Sequence, residues 1–132
     1  MKEVLEKLTA AARVAREKAR APFSNFKVGA ALLSASGEIF TGCNIENASY
    51  GLTMCAERVA IFKAVSEGAG NFTHLAIVGD AEKLTPPCGA CRQIIWEFCG
   101  DIPITLANLN GETQSFQMGE LLPKAFDANF LG

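Results

Sequence analysis

The stretch ITLANLNGETQSFQM, residues 104–118, determines the topology of the sheet that the sequence predicts. Its two ends, ITLANL and TQSFQM, are typical of strands, and the connection NLNG, residues 108–111, contains turn-forming Asn and Gly. A crossover between parallel neighbouring strands needs about a dozen residues or more. Because this connection is far shorter, we expect the last two strands to be antiparallel.

Helical and strand patterns alternate before this pair. Apolar residues at three- and four-residue spacing predict an amphipathic helix that stops before Pro22; they are Val4, Leu8, Ala12, Ala15 and Ala19. The patterns that follow predict a hairpin at 27–34 and 38–43, a helix from about residue 55 to 67, a buried strand at 73–80 and a helix from 89 to 99. This order predicts an α/β fold with a mixed five-stranded sheet and helices packed against it.

Composition and charge limit the classes of protein to which the chain can belong. A length of 132 residues, with 49% apolar and 20% charged residues, is typical of one compact domain, which we place at residues 1–132. The N-terminal stretch is charged throughout and has no apolar run suited to a signal peptide or a membrane span, so we expect a cytoplasmic protein without a membrane partner. A net charge of −2 and the lack of a Lys/Arg cluster argue against tight binding to nucleic acid.

Three of the five cysteines occur where helices are predicted to begin. Cys55 begins one helix, and Cys88 and Cys91 form a CxxC motif at the start of the next. In a reducing compartment three such thiolates can share one zinc ion, and three protein ligands with an open position form the catalytic arrangement. Cys43 and Cys99 are the remaining candidates for a fourth ligand, and we interpret both as packing residues because they end apolar segments.

These cysteines could also serve a redox, structural or cross-linking role as far as the local motifs show. A CxxC motif between a strand and a helix is typical of a thioredoxin-like dithiol redox protein as well. A structural zinc site would account for the thiols but would give no role to Glu57, which lies two residues after Cys55. Disulfides fit neither the odd number of cysteines nor the lack of a signal-peptide pattern.

Five sequence blocks together resemble the small homotetrameric zinc-dependent cytidine deaminases; they are APFSNFKVGAALL, GCNIENASYG, CAERVAIFKAVSEG, PPCGACRQ and GELLPKAF. The likeness extends from Ala21 to Phe126. It implies a three-layer fold with helices on both faces of the sheet, one zinc ion per chain, and hydrolysis of free cytidine and deoxycytidine to the uridine nucleosides and ammonia. Phe23 stands where many relatives have tyrosine, so any contact of that hydroxyl is absent or replaced.

The resemblance and the helical spacing together give Glu57 and two arginines a role beside the metal. Glu57, near zinc but not bound to it, is the expected proton carrier between the attacking water, the ring nitrogen and the departing ammonia. Three thiolates outweigh the charge of a zinc ion, and the N-terminal dipoles of both helices reduce this excess. Arg58 and Arg92 can each share a helix face with a ligand cysteine, and we expect Arg58 to be the main thiolate partner.

The resemblance also predicts which residues bind the nucleoside. Asn44 and Glu46 are expected on the ribose hydroxyls, where a carboxylate would repel a substrate phosphate. Phe26 is expected to form an aromatic wall, and the backbone of Ala56 to contact the base. Phe126 is expected to close the pocket of a neighbouring subunit in a homotetramer. An aminohydrolase for a modified cytosine nucleoside, of the blasticidin type, is the alternative activity.

Overall fold

The computed structural model describes residues 1–131, which contain five β-strands and four α-helices. The strands are β1 Val28–Ser34, β2 Ile39–Cys43, β3 Phe72–Gly79, β4 Pro103–Ala107 and β5 Thr113–Gln117. The helices are α1 Lys2–Arg16, α2 Ala56–Ser66, α3 Gly89–Cys99 and α4 Met118–Leu121. Short 3-10 turns occupy Tyr50–Leu52 and Ala128–Leu131. Within these residues no helix combines the length and the apolar character that a membrane crossing requires.

The five strands form one mixed sheet in the order β2-β1-β3-β4-β5. β3 and β4, which α3 connects, run parallel, and every other neighbouring pair is antiparallel. In the final pair, Leu106 lies opposite Gln114 and Ala107 lies opposite Thr113. The predicted mixed sheet with an antiparallel last pair is therefore confirmed.

Helices cover both faces of this sheet, as predicted. On one face, Leu8 of α1 belongs to a buried cluster with Ala76 of β3. On the other face, Ile61 of α2 and Ile95 of α3 share a larger core with Ile77, the next residue along β3. Successive side chains of a strand point to opposite faces, so β3 supplies both layers of the core. α2 and α3 therefore lie side by side on the face opposite α1.

α1 is shorter than the predicted helix. It ends at Arg16, so Ala19 lies outside it, and Val4 near its other end is 40% exposed. Backbone N–H groups at its end bond to carbonyls three residues back, which tightens the last turn. The chain then leaves the helix because the N–H of Arg20 donates to the carbonyl oxygen of Asn44 at 3.0 Å. The apolar spacing thus continues to Ala19, beyond the observed end of the helix at Arg16.

The C-terminal hairpin contains two local features that the strand pattern did not predict. β4 ends at Ala107 rather than at residue 109, because Oδ1 of Asn108 accepts hydrogen bonds from two backbone N–H groups of the turn, each at 3.0 Å. α4 follows β5 directly, and Gln117 and Glu120 form a capping box around its first turn. The N–H of Gln117 donates to the Glu120 carboxylate at 2.8 Å. The sequence QMGE carries this helix-start signal.

Gly42 allows α2 to lie directly against β2. A Cβ atom at this position would lie 2.5 Å from the carbonyl oxygen of Ala56 and 2.5 Å from the backbone nitrogen of Ala60. Both atoms belong to helix backbone, which cannot move aside as a flexible side chain can. The missing side chain therefore sets the distance between the sheet and the first turn of α2, next to Cys55 and Glu57.

Gly42→Ala should destabilise the fold, because its methyl group meets the backbone of α2. We expect the free energy of unfolding to fall by about 1–3 kcal/mol, measured by thermal or denaturant unfolding. Gly70→Ala is the matched control, because nothing lies within 4 Å of a Cβ atom built there. Equal stability of the two variants would contradict the close approach of α2 and β2.

Candidate metal centre and active site

Three cysteine side chains converge where α2 and α3 begin. Cys55 is the residue immediately before α2, Cys88 immediately precedes α3, and Cys91 lies in the first turn of α3. Both helices pack on the same face of the sheet, so their first turns can meet. The three Sγ atoms lie within 4.8 Å of one another. The structure thus brings together the residues that the sequence predicts as metal ligands.

This donor set fits a zinc ion. Sulfur atoms at three corners of a tetrahedron, each about 2.3 Å from zinc, would lie about 3.8 Å apart. The three thiols lie within 4.8 Å of one another, so their spacing is compatible with this geometry. In residues 1–131, the group of possible metal ligands consists of these three cysteines, without a histidine or a carboxylate. Cys55 and Cys88 also line a cleft of about 420 Å³. Three protein ligands beside an open cleft correspond to a catalytic rather than a structural zinc site.

Arg58 lies next to the thiols and offsets part of their charge. Its Nη2 donates to Sγ of Cys55 at 3.5 Å. The pKa of Arg58 is raised, chiefly by hydrogen bonding with Cys91 and also by Cys55. The pKa of Cys55 is lowered to about 5, first by a hydrogen bond with Cys91 and then by Arg58. The structure therefore places Arg58 beside its predicted thiolate partners.

The pKa of Cys91 is shifted in the opposite direction to that of Cys55. The pKa of its thiol is raised by its hydrogen bond with Cys55, by burial, and by the nearby charge of Glu57. Three thiolates this close cannot all ionise unless a cation offsets their repulsion. A divalent metal would replace the remaining protons, so metal binding and deprotonation are coupled at this site.

Glu57 lies in the first turn of α2, beside the cysteines. Its side chain is 5% exposed and lines the same cleft as Cys55 and Cys88. Burial raises the pKa of Glu57 to about 7, and the charge of Cys55 acts in the same direction. A carboxyl group with this pKa can both accept and release a proton near neutral pH. This is the property that the predicted proton carrier needs.

The residues predicted to contact a nucleoside line this cleft as well; they are Phe26, Asn44, Glu46 and Ala56. Ala56 is the first residue of α2, so its N–H has no acceptor within the helix. Asn44 already holds backbone: its Nδ2 donates to the Phe26 carbonyl at 2.8 Å, and its Oδ1 accepts from the N–H of Val28 at 2.9 Å. Sequence reasoning missed this scaffolding role. One amide hydrogen of Asn44 remains for a ligand.

Glu46 is likewise part of the scaffold. Its Oε1 accepts hydrogen bonds from the N–H groups of Phe23 at 2.9 Å and Ser24 at 3.1 Å, and its Oε2 accepts one from the Ser24 hydroxyl. These bonds, that of the Ser24 hydroxyl first, lower the pKa of Glu46, so the carboxylate stays ionised. Sequence reasoning missed Ser24, because a serine in a loop carries no signal of its own.

Arg92 and Phe126 do not line the cleft in the described part of the chain. Nε of Arg92 donates to the Pro87 carbonyl at 2.8 Å, and its Nη1 donates to the Leu121 carbonyl at 2.9 Å. Neither bond reaches a cysteine, so these contacts differ from the predicted pairing of Arg92 with a thiolate. The ring of Phe126 is 55% exposed and stacks on Phe130, with ring centroids 5.4 Å apart.

Cys43 and Cys99 lie outside the group formed by Cys55, Cys88 and Cys91. Cys99 packs against the larger core, where burial raises its pKa to about 12. Cys43 is half-buried at the end of β2. Phe23 is in edge-on contact with Tyr50 at a ring-centroid distance of 5.8 Å.

Comparison with known proteins agrees with this geometry. Residues 2–105 match the family described as the cytidine and deoxycytidylate deaminase zinc-binding region. The chain belongs to this deaminase family. A cytidine deaminase from Sporosarcina psychrophila is 54% identical over 123 residues, which cover 92% of this chain and 90% of that protein. A cytidine deaminase from Halalkalibacterium halodurans is 54% identical over 115 residues, which cover 86% and 87%.

Solved structures of cytidine deaminases have the same fold. The enzyme from Burkholderia pseudomallei matches with a TM-score of 0.89 and 49% identity, over 92% of this chain and 98% of that one. The enzyme from Mycobacterium tuberculosis matches with a TM-score of 0.80 and 38% identity, over 92% and 96%. The predicted deaminase-type fold is confirmed. Membership of this zinc-binding family, together with the three-cysteine group, confirms zinc as the cofactor and disfavours the dithiol redox alternative.

Cys88→Ala should release the metal from this deaminase centre. The substitution leaves two of the three thiols, and each lost ligand weakens binding strongly. We expect the zinc content per chain, measured by inductively coupled plasma mass spectrometry, to fall far below that of the unmodified protein. Cys43→Ala is the matched control, because it makes the same change outside the group. Loss of zinc from the control with retention in Cys88→Ala would overturn the ligand assignment.

Proposed function

We propose that this chain is a zinc-dependent cytidine deaminase, which hydrolyses free cytidine and deoxycytidine to uridine and deoxyuridine with release of ammonia. The observation that carries the proposal is the buried carboxyl group of Glu57 beside three thiols, in a cleft large enough to accept a nucleoside. Relatives named cytidine deaminase at 54% identity support the same substrate.

The reaction needs a water nucleophile and two proton deliveries. Held by Cys55, Cys88 and Cys91, zinc would lower the pKa of a water molecule and so supply the nucleophile at neutral pH. Glu57 takes a proton from the attacking water and delivers it to the ring nitrogen beside the reacting carbon. The carboxylate then takes the second proton, from the hydroxyl group now on the reacting carbon, and gives it to the amine; the carbonyl forms as the C–N bond breaks and ammonia leaves. A pKa of about 7 suits Glu57 to transfer in both directions.

Separate groups in the cleft are available for the base and the sugar. Phe26 offers an aromatic face to the base, and the N–H of Ala56 can donate to it. Asn44 and Glu46 each keep hydrogen-bonding capacity beyond their contacts with the protein, which suits them to ribose hydroxyls. These assignments follow the family resemblance and agree with the cleft lining.

The charge of the cleft favours a nucleoside over a nucleotide. The lining includes the acidic Glu46 and Glu57 and, as far as the described residues extend, no lysine, arginine or histidine. A substrate phosphate would meet negative charge without a compensating cation. This disfavours deoxycytidylate, the other substrate named in the family description, and disfavours nucleic acid for the same reason.

We further infer a homotetramer in which neighbouring subunits complete the active sites. α2 and α3 expose Phe62 and Phe98, whose rings are in edge-on contact with centroids 5.9 Å apart. The carbonyl oxygen of Phe126 accepts a hydrogen bond from Gln93 of α3 at 2.7 Å. The backbone of Phe126 is therefore attached to α3, while its aromatic ring is exposed. Such surfaces suit contact with another copy of the chain.

The free cysteines suit the reducing conditions of the cytoplasm, where we place the protein.

Glu57→Gln should remove most of the activity while zinc is retained. The amide keeps the size of the side chain and leaves all three thiols, but it cannot carry the proton. Turnover of cytidine, followed by the change in its ultraviolet absorbance, should fall by about 10²- to 10⁴-fold. Glu97→Gln, the same change at an exposed position of α3, should leave turnover unchanged. Retention of more than about a tenth of the activity by Glu57→Gln would contradict the role of Glu57.

Mixing of two variants tests whether active sites are shared between chains. Glu57→Gln and Phe126→Ala chains should each be poorly active alone. When they are unfolded together and reassembled, some sites should combine an intact Glu57 from one chain with an intact Phe126 from another, and activity should rise well above that of either parent. No rise, with hybrid assemblies verified by native mass spectrometry, would show that Phe126 does not act in a neighbouring site.

A further inference from the structure

The loop between α1 and β1 carries Phe26 into the cleft. Asn25 in this loop has a φ of 54°, in the left-handed region, and its N–H donates to the carbonyl oxygen of Ala21 at 3.0 Å. Ser24 lies in the same turn and lines the cleft together with Phe26 and Glu46. One tight turn therefore supplies two of the residues that lie next to the carboxylate.

The hydroxyl group of Ser24 joins the aromatic residue to that carboxylate. Ser24 Oγ donates a hydrogen bond to Oε2 of Glu46 and accepts one from the N–H of Phe26 at 3.1 Å. A hydroxyl group has a single hydrogen to donate, so its bond to Glu46 leaves the oxygen free to accept from Phe26. One oxygen atom thus links the backbone of Phe26 to the side chain of Glu46.

Further bonds complete the arrangement around Phe26. Oε1 of Glu46 accepts from the N–H groups of Phe23 and Ser24, which together with the hydroxyl bond leaves the carboxylate capacity for one more donor. Nδ2 of Asn44 donates to the carbonyl oxygen of Phe26 at 2.8 Å. Both backbone polar groups of Phe26 are therefore held, one through Ser24 and one by Asn44.

We propose that Ser24 is a positioning residue, whose hydroxyl group fixes Glu46 and Phe26 relative to each other so that the sugar and the base of a nucleoside are held in one geometry. This inference rests on the proposed function, because it requires a nucleoside in the cleft. This role depends on the hydroxyl group of Ser24 and not on the volume of its side chain. Ser24 is exposed, so threonine can replace it, while alanine removes both bonds.

Steady-state kinetics with cytidine tests the dependence on Glu46. Ser24→Ala should raise KM by about 5- to 20-fold with a smaller change in kcat, because bonds to the sugar hold the substrate and the transition state alike. In a Glu46→Ala background, the same change should raise KM by less than about threefold. Ser24→Thr should keep KM near that of the unmodified protein. Ser66→Ala, which removes an exposed hydroxyl at the end of α2, should have no effect.

The opposite kinetic results would overturn the proposal. An equal loss from Ser24→Ala with and without Glu46 would show that the hydroxyl group only stabilises the loop. If Ser24→Thr raises KM as much as Ser24→Ala does, while its melting temperature and zinc content stay unchanged, the hydroxyl group is not the part of the side chain that determines KM.

A measurement without substrate separates this inference from the proposed function. The Ser24 hydroxyl is the largest cause of the lowered pKa of Glu46, so Ser24→Ala should raise that pKa and Ser24→Thr should not. NMR titration of the Glu46 carboxyl carbon in the zinc-loaded protein measures the change. An unchanged titration in Ser24→Ala would overturn the link between Ser24 and Glu46 even if cytidine is turned over. If Ser24→Ala raises the pKa of Glu46 but the unmodified protein does not turn over cytidine, the link between Ser24 and Glu46 is supported and the proposed function is overturned.

Discussion

The structure depends on one constraint: three neighbouring thiols must be able to ionise together if they are to bind a metal ion. Cys55, Cys88 and Cys91 place their sulfur atoms within 4.8 Å of one another, and such a group can ionise fully only where positive charge surrounds it. Helix N-termini supply partial positive charge, and Arg58 supplies a full charge at 3.5 Å from Cys55. Two helices must therefore begin at one point. This requires both to pack on the same face of the sheet, with the close approach of α2 that Gly42 permits.

Features that depend on neighbours in the sequence could be predicted. The helix Gly89–Cys99 has the predicted bounds. The CxxC motif and Gly89 mark its start, and Gly100 follows its last residue. The antiparallel pairing of β4 with β5 follows from the short connection between them. The convergence of Cys55 with the distant CxxC pair is different, since local spacing does not show which helices pack together. The prediction of a shared zinc ion came from the three cysteines at helix starts, and the resemblance to a family supported it.

Side-chain bonds between distant segments could not be predicted in this way. Asn44 and Glu46 were interpreted as ligand-binding residues, yet in the structure both also hold the loop that carries Phe26. Arg92 has a helical spacing from Cys88 that would permit a contact, but its donors bond to backbone carbonyls instead. The reason is that the C-terminal segment returns along α3, and no local pattern specifies that return. Polar side chains that line the cleft, such as Asn44 and Glu46, thus hold the surrounding backbone as well as facing the cleft.

One guanidinium group connects the metal centre to the C-terminal segment. Arg92 donates to the carbonyl of Pro87, the residue before Cys88, and to the carbonyl of Leu121, while Gln93 donates to the carbonyl of Phe126. In the proposed tetramer, a neighbour that binds this segment would also hold α3, where Cys88 and Cys91 lie at the start. Such coupling is reciprocal, so assembly that tightens metal binding must itself be tightened by the metal, by the same free energy. Retention of zinc would then depend on protein concentration, and dilution of the subunits would weaken it.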